Sequence, residues 1–139
     1  MKPTYLFLWV LLMSACAPLP PTPQDIAAKK FQPVPGKAVI YIVRPGVDSF
    51  NAGPLSLSGL GPIATHQGTY YRWEVEPGMR SMETAGASLS VVTINARAGQ
   101  LYFVLHTVTG GLRSGLGNAW LQRIDEQTGR RMVSAAQHL

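Results

Sequence analysis

Two stretches of the chain show the hydrophobic patterns of β-strands most clearly. Residues 37–44 read Lys-Ala-Val-Ile-Tyr-Ile-Val-Arg, with apolar side chains at both odd and even positions, which predicts a strand buried on both faces. Residues 69–76 alternate instead, with Trp73 and Val75 on one face and Tyr70 among charged residues on the other. This alternation predicts an antiparallel strand with one face in the core and one face in solvent.

Shorter runs of the same kind follow, separated by turn signals. Glu76-Pro77-Gly78 and Ala98-Gly99 are typical of tight turns, because proline fixes φ and glycine tolerates positive φ. The pattern predicts an all-β fold, a small antiparallel β-sandwich of about seven to eight short strands over residues 37–125. The further strands are expected at 54–58, 63–66, 79–85, 88–97, 100–109 and 118–125.

Composition agrees with one globular domain. Of the 139 residues, 46% are hydrophobic and only 14% are charged, which is enough to bury a single core and excludes a disordered chain. Frequent glycine and proline favour short strands and turns. The candidate core residues, taken from the inward faces of the strands, are Val39, Ile40, Tyr41, Ile42, Trp73, Val75, Val92, Ile94, Phe103, Leu105 and Leu121.

The two ends of the chain differ from this strand-rich middle. Residues 5–13 form an apolar run behind Lys2, about half the length that a transmembrane helix needs, which predicts an export signal over residues 1–15. From residue 16 to residue 36 the chain carries six prolines, which predicts an extended, semi-rigid tether. Residues 126–139 form a polar tail with room for a short helix.

The junction between signal and tether carries a modification motif. Met13-Ser14-Ala15-Cys16 resembles the bacterial lipobox, in which small residues fit a peptidase cleft and the cysteine thiol takes a diacylglycerol. The resemblance implies that Cys16 becomes the acylated N-terminus, with fatty acids such as palmitate as the membrane anchor. Ala17, rather than aspartate, implies sorting to the outer membrane, facing the periplasm. Lipidation would also remove the chain's single thiol from an oxidising compartment.

The basic balance of the chain points to membrane surfaces rather than to nucleic acid. The net charge is +5 and the isoelectric point is about 9.7, which attracts anions. Export separates the protein from nucleic acid, and its basic residues are scattered along the chain. We therefore expect no nucleic-acid partner, and a mild attraction to anionic headgroups of the envelope.

No arrangement of residues predicts catalysis or metal binding. His66, His106 and His138 are far apart without the spacing of zinc ligands, and His106, on an apolar strand, is expected to be a core histidine. Ser114 lacks the flanking glycines of a nucleophile elbow, since leucines occupy those positions. The sequence therefore predicts a protein that is not an enzyme and that uses no metal or cofactor.

Several segments together carry a family resemblance. They are the strand at 37–44, the segment Leu57-Ser-Gly-Leu-Gly-Pro-Ile-Ala-Thr-His-Gln-Gly-Thr-Tyr-Tyr71, the strand and turn Trp73-Glu-Val-Glu-Pro-Gly78, and Leu101-Tyr-Phe-Val104 after the Ala98-Gly99 turn. In this order they resemble the domain of unknown function 2846, found in small bacterial envelope lipoproteins. The resemblance implies a β-sandwich and an envelope location, and it implies no reaction.

A glycine-rich loop near the end of the domain is the candidate for recognition. Binding residues are often found on loops that a rigid sandwich holds in place. A sheet edge is the other candidate surface. These features predict a structural or protein-interaction module whose partner is another envelope protein. The candidate loop residues are Gly110, Gly111, Arg113 and Gly117, with Trp120 close behind them.

The aromatic residues leave a second interpretation open. A periplasmic binding or sensor module would hold a small apolar or glycan ligand in the interior or at one end of the sandwich. An envelope hydrolase is disfavoured, because the sequence shows no pairing of a nucleophile with a base. The residues that favour the binding module are Tyr70, Tyr71, Trp73 and Trp120.

Overall fold

Strands dominate the residues that the computed structural model describes, which are 20–49, 52–110 and 117–139. Two short helices accompany them, α1 (Pro23–Ala28) and α2 (Glu126–Ala135). Within these ranges nine strands form two sheets, so the predicted all-β sandwich is confirmed. The strands are β1 (Ala38–Val43), β2 (Gly53–Leu57), β3 (Gly61–Thr65), β4 (Thr69–Val75), β5 (Gly78–Ala85), β6 (Leu89–Ala96), β7 (Leu101–Thr109), β8 (Asn118–Ile124) and β9 (Gln137–His138).

The strand order is β8-β7-β1-β4-β9 in the larger sheet and β3-β2-β5-β6 in the smaller one. Five of the seven neighbouring pairs within these ranges are antiparallel. The turns predicted at Glu76-Pro77-Gly78 and Ala98-Gly99 do not join such neighbours, because each leads from one sheet to the other, from β4 to β5 and from β6 to β7. Gly78, the first residue of β5, has a φ of 128°, which glycine adopts without strain. Two pairs in the larger sheet are parallel, β1 with β7 and β4 with β9. Parallel neighbours need a long connection, and the one between β1 and β7 contains the whole smaller sheet.

The inner core lies between the two sheets. Ile40 and Ile42 of β1, together with Trp73 of β4, face Leu55 and Met82 of the smaller sheet. Removing each such side chain from water contributes about 1.5–3 kcal/mol. Every predicted core residue is buried or partly buried, and the partly buried ones are Val92 and Leu105.

A second apolar layer covers the opposite face of the larger sheet. Phe31 and the two helices pack there onto Tyr41, Tyr70 and Phe103. Tyr70 is fully buried, so the expectation that it meets solvent is wrong, because the helices cover this part of β4. Glu74, on the same face, is exposed as expected. A Cβ at Gly129 of α2 would lie 2.5 Å from Phe103 Cβ, so only glycine allows this approach. Between the two layers β1 is buried at all six positions, as predicted.

Part of the segment predicted as a tether belongs to this second layer. Within residues 23–34, α1 and the residues after it pack against the larger sheet instead of extending away from it. Tyr70 donates a hydrogen bond of 2.8 Å to Asp25, and Lys29 lies 2.9 Å from the same carboxylate. Burial raises the pKa of Asp25, but these hydrogen bonds outweigh burial and hold the pKa below its usual value. Burial and the neighbouring Asp25 raise the pKa of Tyr70.

Candidate functional site

The predicted lipidation motif lies outside the described residues. Met13, Ser14, Ala15 and Cys16 all precede residue 20, where the described chain begins. In residues 20–49, 52–110 and 117–139, no helix is both long enough and apolar enough to cross a bilayer. Anchoring through Cys16 therefore stays a prediction from the motif.

Only the two ends of the predicted interaction loop belong to the described part of the chain. Gly110 follows β7, and Gly117 comes immediately before β8. Gly111 and Arg113 fall between them, outside the described residues. Trp120 on β8, the third residue after Gly117, is 40% exposed.

A buried ion pair lies beside the end of β7 and fixes one end of that loop. Arg44 is only 1% exposed and makes a two-pronged contact with Asp48, with Nε 2.9 Å from the carboxylate. Its remaining donors bind the backbone carbonyls of Thr65, at 2.9 Å, and Ser49. Ser49 Oγ in turn donates to the carbonyl of Gly110 at 2.6 Å. Because its charges and donors are satisfied, the pair tolerates burial.

His106 extends this polar cluster into the interior. The ring is fully buried, with Nδ1 2.9 Å from Thr65 Oγ1 and Nε2 3.1 Å from Thr84 Oγ1. Burial and the positive charge of Arg44 lower the pKa of His106 to about 4, against a smaller opposing effect of Asp48. The ring is therefore neutral near pH 7, and the interpretation of His106 as a core histidine is confirmed.

The contact between Thr84 and His106 has the residue types of a nucleophile and its base, but its surroundings do not suit catalysis. Thr84 is 2% exposed, and its hydroxyl donates to the carbonyl of Pro54 at 2.6 Å. A substrate has no route to this hydroxyl in the observed conformation. In the described ranges no three metal-ligating side chains come together. The cluster joins β2, β3, β5 and β7 and positions the loops at this end of the sandwich.

The smaller sheet has one side turned away from the larger sheet, called here the outer face. This face is more apolar and carries less charge than an ordinary solvent-facing sheet. Met79, Leu89 and Val91 are 64%, 66% and 51% exposed on it. Glu83 on β5 is its single charged side chain among the described residues. The other side chains on this face are small or uncharged: Pro54, Ser56, Pro62, Ala64, Ser81, Ala85, Thr93 and Asn95.

Sequence reasoning missed the outer face, although β6 carried a signal for it. Leu89 and Val91 alternate with Val92 and Ile94, so the strand has apolar residues on both of its faces. Only one of those faces can meet the larger sheet, and Ile94 packs there. The apolar residues on the other face therefore had no partner within the fold. Recognising this required the position of β6 as the outermost strand of its sheet.

The aromatic residues that favoured a ligand site do not share one surface. Tyr70 and Trp73 point to opposite faces of β4, the first toward the helices and the second into the inner core. Trp120 is on β8, on the far side of β7 and β1 from that strand. One open groove of the described surface, of about 550 Å³, lies between Arg97 and Arg123.

Comparisons with known proteins do not add a relative. No family model matches this chain, and no curated protein matches it. Functional inference therefore depends on the motif at Cys16 and on the surfaces of the described residues.

Proposed function

We propose that this protein is a non-catalytic lipoprotein of the bacterial envelope, anchored through Cys16, whose sandwich binds another envelope protein through the outer face of the smaller sheet. Support for the anchor comes from Met13-Ser14-Ala15-Cys16 and from the export signal before it. Support for the binding role comes from one observation above all, the nearly uncharged and partly apolar character of the outer face. Placement in the outer membrane follows from Ala17 by resemblance alone.

Desolvation makes this face suitable for a protein partner. Charged groups lose favourable hydration when an interface forms, which is why the centres of interfaces are depleted of them. From strand spacing and length, four strands of this size present roughly 400 Å², comparable to the functional patches of small proteins. That area fits a transient or modest interface rather than a permanent one.

Glu83 restricts what the partner can be. It shares one row across the sheet with Pro62, Ser56 and Val91, so it lies within the face and not at its rim. In a two-fold dimer through this face, two copies of Glu83 would approach each other without a cation to separate them. We therefore favour a different protein, with an apolar surface and a lysine or arginine opposite Glu83.

The anchor is tested by metabolic labelling with a fatty acid. The intact chain should incorporate the label and fractionate with membranes, and Cys16→Ala should lose both properties. A matched control, Cys16→Ala with Ser88→Cys, moves the cysteine to an exposed turn and should stay unlabelled. A label that persists in Cys16→Ala would refute lipidation at this sulfur.

The binding surface is tested by placing a photo-crosslinking amino acid at Val91 in living cells. We expect one discrete heterologous adduct, which disappears in Glu83→Lys and persists in Glu76→Lys, a charge reversal away from the outer face. A probe at exposed Gln122 on the larger sheet should give no such adduct. An adduct with the mass of two copies of this chain, or one insensitive to Glu83→Lys, would contradict the proposal.

A further inference from the structure

The end of the sandwich at which the described chain begins can be identified from its neighbours. Pro20 and Pro21 line a groove of about 370 Å³ together with Ala136 and Gln137. Gln137 donates a backbone hydrogen bond to Gly68 at 2.9 Å, at the start of β4. The chain therefore approaches the fold at the end where β1 finishes and β4 starts.

The same end carries the most exposed apolar side chain of the described surface. Val47, just after β1, is 92% exposed. Val47 borders a groove that is also lined by Gly68, Ala135 and Ala136. The two alanines also line the groove formed with Pro20, so the two grooves are adjacent. This region, defined by Val47, Gly68, Ala135 and Ala136, is called here the Val47 end.

Only a short length of chain separates the proposed anchor from this end. Four residue steps lead from Cys16 to Pro20, which span at most roughly 14 Å even when fully extended. The headgroup layer of a bilayer occupies a large share of that distance. A domain tied this closely cannot turn its far end, roughly 20 Å away along the strands, toward the membrane.

The distribution of charge agrees with contact between the Val47 end and a lipid surface. Near this end the carboxylates of Asp25 and Asp48 are paired with Lys29 and Arg44. The side chains of Asp25 and Asp48 are also almost fully buried, whereas four exposed carboxylates lie at the opposite end of the larger sheet, three of them with a basic partner of their own. Anionic headgroups would repel exposed carboxylates more strongly than buried, paired ones. The four exposed carboxylates are Glu74, Glu76, Asp125 and Glu126.

We propose that the Val47 end rests on the bilayer, with the Val47 side chain in the headgroup region. The inference depends on the proposed lipidation of Cys16 and adds an orientation to it. The strands then run away from the membrane, and the outer face of the smaller sheet points sideways. In that position it is open to proteins held in the same membrane.

The test uses the full lipidated chain in vesicles of phosphatidylethanolamine and phosphatidylglycerol. Val47→Cys and Met79→Cys are labelled with bimane in separate samples, since the thioether at Cys16 blocks its own sulfur. Met79 is a matched control, because it is 64% exposed but lies at the start of β5, at the opposite end. Lipids with a nitroxide at the headgroup should quench bimane at Val47 several-fold more strongly than at Met79.

The outcomes separate this inference from the anchor on which it depends. The mass of each purified protein is measured first, because it reports the acyl groups directly. A lipidated protein with equal quenching at the two positions overturns the orientation and leaves the anchor intact. A protein whose mass lacks acyl groups overturns the anchor, and the orientation with it.

Discussion

His106, Thr65 and Thr84 make four close polar contacts among themselves and with backbone carbonyls, but these three side chains have too few protons to make all four hydrogen bonds. Thr65 Oγ1 lies 3.2 Å from the carbonyl of Gly53, Thr84 Oγ1 lies 2.6 Å from that of Pro54, and both hydroxyls contact the ring. A neutral imidazole and two hydroxyls supply one proton fewer than these contacts need. The tautomer of the ring therefore decides which of the four contacts goes without a proton.

The free energy of unfolding should depend on pH through His106. Its pKa is about 4 in the folded protein and 6.5 for an ordinary histidine, so only the unfolded chain takes up a proton between these values. The contribution of neutral His106 to the free energy of unfolding is fully present above pH 6.5. It is lost as the pH falls toward 4, by up to about 3 kcal/mol. Urea denaturation at several pH values across this window measures the slope.

A substitution separates this effect from the titration of other groups. His106→Asn should flatten the slope in that window, whereas His66→Asn, at an exposed position, should leave it unchanged. The lowered pKa of Asp25 places its own loss of stability at lower pH. A slope that survives in His106→Asn would show that another group is responsible.

Residues differ in how far their surroundings can be foreseen. His106 was predicted to lie in the core because the strand that carries it is apolar. The buried pairing of Arg44 with Asp48 was not predicted, since a charged residue after a strand ordinarily faces solvent. What makes burial of Arg44 possible is a set of carbonyls from Ser49 and Thr65 that come together only in the fold.

At the scale of elements, Phe31, three residues after the end of α1, attaches the first helix to the larger sheet. Its φ of 52° is in the left-handed region, which a phenylalanine adopts only when packing compensates. The ring lies 5.4 Å from that of Tyr41 and 6.1 Å from that of Phe103, and Arg130 stands 4.8 Å over its centre. These contacts hold the chain against the larger sheet before β1 begins.

Phe31→Ala should destabilise the protein by about 3 kcal/mol, because a buried aromatic side chain and its contacts are lost. The matched control is Gln32→Ala, one residue along and exposed, which should change stability by less than about 0.5 kcal/mol. Chemical denaturation of both variants at pH 7 measures the difference. Equal stabilities would mean that this segment does not contribute to the fold.

Local patterns predict the strands well, and α2 (Glu126–Ala135) is the short helix for which residues 126–139 had room. The strand expected at 69–76 is β4 (Thr69–Val75), and the one expected at 88–97 is β6 (Leu89–Ala96). Their alternation and turn residues are local signals. Prolines led to the expectation of a tether, yet Pro23 starts α1 directly after the capping residue Thr22, where its missing N–H costs nothing.

At the scale of the whole molecule, the larger sheet is the middle layer of three. The smaller sheet covers one side, and segments from both ends of the described chain cover the other. Pairing of β1 with β7 joins Val39 to Leu101, a register that no local pattern encodes. The position of the outer face likewise depends on which strands pair to form the smaller sheet. The motif at Cys16, in contrast, can be read from four adjacent residues.

A chain trimmed to residues 37–125, the range expected for the sandwich, should not fold cooperatively. Without the helices and Phe31, the faces of Tyr41, Tyr70 and Phe103 are exposed. Burial of several such residues, at about 1.5–3 kcal/mol each, is comparable to the whole stability of a small domain. Near-UV circular dichroism and dye binding on heating report this, with residues 20–139 as the control. A shared melting midpoint for both chains would refute the prediction.

Parallel pairing of β4 with β9 has a consequence for the order of events during biogenesis. Tyr70 cannot acquire its neighbour His138 until the last residues of the chain have been synthesised, and β1 must wait for β7. The larger sheet is therefore completed late, only after both partners of each distant pair have been synthesised. If the chain is exported as proposed, this delay would keep it unfolded until it reaches the translocation channel.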